Sequence, residues 1–199
     1  MTKSLAEFVS EFKELYERTP KKSYLFDDTF PSLFPLEYPF EITYVGIRGE
    51  QMPESLEEPI RSTIDGFVVH NWSIERLREE ARTPQETTRA ILNNAFFIFL
   101  VEDRIPVDYR PYVLFHEVAE LMRTDHHYGI EQEFAAVAKR GSAFLRDYTT
   151  WWAQQYLAKG IPMREEMRLK LILPLLAWET LRDLLQKGED FLDYMENYD

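Results

Sequence analysis

Residues 116 to 120 read His-Glu-Val-Ala-Glu and place an imidazole and two carboxylates on one short stretch of chain. At about 100° per residue, His116 and Glu120 stand one helical turn apart and can point at a common cation. Glu117 falls ~100° round from His116, beside that cation without needing to bind it. Leu114, Val118, Leu121 and Met122 gather on the opposite side of the helix. Helices carrying H-E-x-x-H use this geometry to hold zinc and activate its water. A divalent ion takes three or four protein ligands, so a second segment must contribute. Asp125-His126-His127 lies in an expected turn, and Glu131 and Glu133 enter the helix after it. An antiparallel pair would carry them back over His116. Three of the four histidines fall between positions 116 and 127, and the chain has no cysteine, so any site is built from imidazole and carboxylate alone.

Helical phase leaves choices open. Taking Ile130, Phe134, Val137, Gly141 and Leu145 as the buried stripe of the second helix, Glu131 and Glu133 flank it at similar angles. One of His126 and His127 is expected to be only a turn residue. The competing account of His116, Glu117 and Glu120 is the solvated face of an amphipathic helix, the commonest origin of such a stripe. A carboxylate-bridged two-metal site would need further ligands, for which Glu79-Glu80 and Glu165-Glu166 are the available pairs. His70 is expected as a hydrogen-bonded edge or core histidine.

The elements that must position these groups are expected to be mostly helical. Ser4 and Glu7 have capping-box spacing, and Leu5, Phe8, Val9, Phe12 and Leu15 recur at helical intervals up to Thr19-Pro20. Lys21 to Pro39, rich in proline and aromatics, suits an irregular segment pinned to the core by its rings. Phe40–Ile47 and Gly66–Trp72 are β-branched and aromatic and predict two short strands. Ser73 can cap a helix through Arg82, and Thr83-Pro84-Gln85-Glu86 opens another expected to reach about Val101, apolar all round from Ala95. Asp108 can cap the helix bearing His116, the next runs from near Tyr128 to Gly160, and the last spans about Met163 to Gln186 with a kink at Pro174. The fold class expected is mainly α (α+β): a single domain over residues 1–199, a helical globule of about six helices with a small two-stranded β element.

Composition narrows the partners. With 23 basic against 35 acidic residues the formal charge is −12, a surface that repels phosphate backbones and anionic lipids, so no nucleic acid is expected. No stretch approaches ~20 apolar residues and the N-terminus lacks a signal-peptide run, so neither a membrane span nor export is expected, and the compartment inferred is cytoplasmic.

The motif also resembles a family. FHEVAEL at 115–121 followed by IEQEFAAVAKR at 130–140 is similar to zincin-like metallopeptidases, in which an apolar residue precedes H-E-x-x-H and a later glutamate-bearing helix completes the site. The resemblance covers about residues 111–140. It implies a zincin-like helix pair, with His116 as first metal ligand, Glu117 as general base toward metal-bound water, and Glu133 or Glu131 as distal ligand. Glu120 stands where that family has its second histidine. A carboxylate there is a harder ligand, so zinc, the ion the resemblance points to, competes with Mn, Fe or Mg. A related pattern, H-E-x-x-E then H-x-x-small-x-x-x-E, matches His126, Gly129 and Glu133, and implies the metal set His116, Glu120, His126 and Glu133. The implied function is a metal-dependent hydrolase attacking a peptide or amide-like carbonyl, of unknown substrate. The alternative is a non-catalytic protein-interaction domain that retains the scaffold.

Overall fold

Phe96–Val101 reads FFIFLV, and a strand that is apolar at every position must be covered on both faces. In the computed structural model, which describes residues 5–54, 61, 65–70, 96–123 and 125–157, this run is buried throughout and forms the inner strand β4. The other strands are β1 (Lys21–Phe26), β2 (Phe40–Ile47) and β3 (Gly66–His70). The four make a mixed sheet in the order β1-β2-β4-β3. β1 runs antiparallel to β2, with Lys21 opposite Val45 and Phe26 opposite Phe40. β2 and β4 are parallel, with Val45 opposite Phe99, and β3 returns antiparallel with Gly66 opposite Leu100.

Period-two alternation sends neighbouring side chains of the sheet to opposite faces. One face, carrying Val45, Ile47, Val69, Phe97, Phe99 and Val101, packs against Phe12, Leu15 and Tyr16 of α1 (Leu5–Arg18). Phe12 meets the rings of Phe67 and Phe99 edge-on at 5.2 and 5.6 Å. The opposite face carries Phe26 and Phe40, whose rings lie 5.2 Å apart, and receives α2 (Arg110–Arg123) through Phe115, 5.4 Å from Phe26. Each fully buried phenylalanine here contributes roughly 2–3 kcal/mol relative to exposure. Two further helices follow, α3 (His126–Lys139) and α4 (Ser142–Leu157).

The chain divides into two compact units, Met1–Ala136 and Val137–Asp199. The sheet, α1, α2 and α3 as far as Ala136 belong to the first. In the second, α3 ends at Lys139, Gly141 follows with a φ of +95° that suits glycine, and α4 begins at Ser142. Within α4, Tyr148 is buried and its ring lies 5.3 Å from that of Trp151.

The expected six-helix, mainly α globule with a two-stranded β element is therefore wrong: the described residues hold four α-helices and a four-stranded mixed sheet. Two runs account for the difference. Residues 96–101, read as the apolar end of a helix, are β4, because an all-apolar run carries no periodicity that separates a buried helix from a buried strand. Lys21–Phe26, read as irregular, is β1, an edge strand exposed over most of its length, so the alternation that betrays a half-buried strand is missing. The single helix expected from Tyr128 to Gly160 is two, interrupted at Gly141. The strand Phe40–Ile47 and the first helix stand as read, and the second expected strand is β3. The expected helices at 73–82 and 163–186, and the part of the third up to residue 95, lie outside the described residues, as do Glu79-Glu80 and Glu165-Glu166.

Candidate metal centre

α2 is the helix on which the candidate site is built. Pro111 sits in its first turn, where a missing N–H costs no intrahelical bond, and Arg123 complements the dipole in its last turn. Residues 112 to 119 are all buried. Phe115 is clamped between Phe26 and Phe30, the latter at 4.9 Å, and Tyr112 packs on Phe30 at 5.5 Å. The side bearing His116 and Glu117 is not the solvated face of an amphipathic helix: these residues are 4% and 7% exposed. Glu117 lies against the start of β3. A Cβ built on Gly66 would stand 2.7 Å from its Oε1 and 3.1 Å from Val113 Cγ1, so a glycine at that strand position leaves room for the carboxylate.

Three candidate ligand atoms come together where α2 faces the start of α3. His116 Nε2 is 3.4 Å from Glu120 Oε2 and 3.2 Å from His126 Nδ1, and His126 Nδ1 is 2.9 Å from the same Glu120 oxygen. Atoms bound tetrahedrally at ~2.0–2.2 Å from one ion are themselves roughly 3.3–3.6 Å apart, close to this triangle. His116, Glu120 and His126 form a group that could hold a metal ion. The His116 ring is buried while the side chains of Glu120 and His126 are half-exposed, so the group sits at the edge of the core.

Glu133 takes a different place. Its Oε2 lies 2.7 Å from His116 Nδ1, on the other side of the imidazole from Nε2, and the carboxylate is buried. When Nδ1–H donates to Glu133, the lone pair on Nε2 faces Glu120 and His126. The carboxylate–histidine pairing fixes both the tautomer and the orientation of a ligating ring. Around Glu120, burial works to raise the carboxyl, but the hydrogen bonds and charge of His116 and His126 outweigh it and hold the group well below the usual carboxylate range. Glu120 thus faces two ring nitrogens, each of which can donate to it or, in the other tautomer, present a lone pair beside it.

The tertiary structure also separates the pairs that phase left open. His127 is exposed, with its backbone N–H donating to Asp125 Oδ1, whereas His126 joins the triangle. Glu131 is exposed and Glu133 is against His116. His70 ends β3 opposite Phe96. Gly129 was legible as the small position of the related pattern, but its place against the His116 ring was not. Nothing in the sequence marks Gly66 as the neighbour of Glu117.

No family model, curated protein or solved structure matches this chain. Among the described residues no helix is long and apolar enough to cross a membrane.

Proposed function

We propose that the chain is a metal-dependent hydrolase of zincin-like type, acting on a peptide or amide-like carbonyl. The observation that carries this is the convergence of His116 Nε2, Glu120 Oε2 and His126 Nδ1 from two consecutive helices at the spacing of ligands to one ion. Two imidazoles and one carboxylate are a ligand composition of hydrolytic zinc centres, which keep a further position open. With Glu133 on His116 Nδ1, the triangle contains a single carboxylate, which favours zinc over the harder Mn, Fe or Mg. A divalent ion held there supplies Lewis acidity and makes water a nucleophile near neutral pH.

The chain's own residues divide the remaining work. Glu133 orients His116, and Glu117, ~100° round the helix from His116, is assigned to accept the proton of the attacking water and pass it to the leaving group. Gly66 gives that carboxylate its space beside β3. Elemental analysis and native mass spectrometry of purified protein should find near-stoichiometric zinc. Glu117→Gln should keep the metal and lose at least ~100-fold in turnover of a fluorogenic peptide library. Undiminished turnover in that variant rejects Glu117 as the base.

A second reading, a non-catalytic interaction domain, draws on one feature. His116, Glu120, His126 and Glu133 already hydrogen-bond one another, so the cluster can lock α2 to α3 without an ion. Phe34, 80% exposed in the loop before β2, would then offer a contact for a protein partner. Protein purified without metal, and indifferent to added zinc in thermal melts, would favour this second reading.

A further inference from the structure

Gly129 occupies the first turn of α3, and a Cβ built there would stand 3.2 Å from His116 Nε2, 3.2 Å from His116 Cε1 and 3.2 Å from Glu120 Cβ. It is the one glycine in α3. Glycine in a helix is unfavourable by roughly 0.5–1 kcal/mol relative to alanine, so helix propensity gives no reason for it at this place. The neighbours cannot readily give way. The His116 ring is held on its far side by Glu133 at 2.7 Å, and Glu120 Cβ is fixed to the backbone of α2. A methyl group at 129 would therefore push α3 outward by a few tenths of an ångström. His126 lies three residues earlier on the same helix and would move with it, away from Nε2 at 3.2 Å and Glu120 Oε2 at 2.9 Å.

We infer that Gly129 is a positioning residue that sets the spacing between α2 and α3 at which the ligand triangle closes, and through that spacing selects a small tetrahedral cation. This rests on the metal-binding reading above and deepens it. A wider triangle penalises a small ion more than a large one, because ligand atoms further apart still reach an ion with longer bonds. The glycine thus acts on the ratio of affinities, not only on their absolute size.

The test is calorimetric titration of chelator-stripped wild type and Gly129→Ala with zinc chloride and, separately, cadmium chloride, alongside far-UV melts of the metal-free proteins. The expected result is a loss of ~10-fold or more in zinc affinity, a smaller loss for cadmium, and a metal-free melting temperature no lower than that of wild type. Equal affinities in the variant and wild type overturn the inference and leave the metal site standing. Proportional losses for both ions, tracking a lowered melting temperature, also overturn it, since they describe ordinary loss of packing. A wild type that takes up neither ion overturns this inference and the metal-binding reading together. Failure of Gly129→Ala to fold also overturns the inference, which expects a shift of α3 by only a few tenths of an ångström and an intact metal-free fold.

Discussion

Glu102 and Glu120 invite comparison, since each is a partly buried glutamate close to a glycine. A Cβ on Gly46 would collide with Glu102 Cδ, as one on Gly129 would stand 3.2 Å from Glu120 Cβ. Their partners differ in kind. Glu102 receives Lys22 Nζ at 2.7 Å and faces Arg110 at 3.5 Å, while the Arg110 guanidinium also donates to the Glu102 and Ile105 carbonyls. Ammonium and guanidinium groups are permanent donors with no lone pair to offer. That cluster already sets two cations against its one carboxylate and ties β1 to the turn before α2. Glu120 meets imidazoles instead, and an imidazole oriented by a carboxylate can present a lone pair. Cations already built into side chains close a site, whereas neutral imidazoles can accept a cation from outside.

The largest expected effect that would test this contrast belongs to His116→Ala. It deletes a proposed ligand and strips the buried Glu133 carboxylate of its 2.7 Å partner, and breaking a buried pair from one side costs ~3–5 kcal/mol. Urea denaturation should show that loss, and elemental analysis should show no bound metal. Metal content equal to wild type would remove His116 from the centre. The next effect sharpens the division between ligand and orienting group. Glu133→Ala should lower zinc affinity ~10–100-fold, with Glu133→Gln recovering part of it because a carbonyl oxygen still accepts from Nδ1–H. Calorimetry in which both variants bind zinc like wild type would make Glu133 only a core contact. The smallest effect is expected at the other cluster. Glu102→Gln should cost ~1 kcal/mol, less at high salt, and leave metal content unchanged. A change in metal content there would abolish the distinction between the two clusters.

Local pattern reached some of this and missed the rest for definite reasons. The end of α1 was written in Thr19-Pro20, and the bounds of β2 in its β-branched composition. β4 was misread because burial on both faces erases periodicity, and β1 because an exposed edge does the same from the other direction. The stripe of His116 and Glu117 was weighed as a solvated face, since polarity suggests exposure. Its burial follows from the aromatic cluster of Phe26, Phe30 and Phe115 that draws α2 onto the sheet.

By itself the sequence determined the inventory: no thiol, three histidines close together, and an imidazole one helical turn from a carboxylate, because those depend only on composition and the 3.6-residue period. Tertiary structure decided which of His126 and His127 turns inward, that Glu133 rather than Glu131 takes Nδ1, and that Gly129 lies on the ring. Each of these depends on the distance and rotation between two helices, which tertiary packing sets and no local spacing encodes.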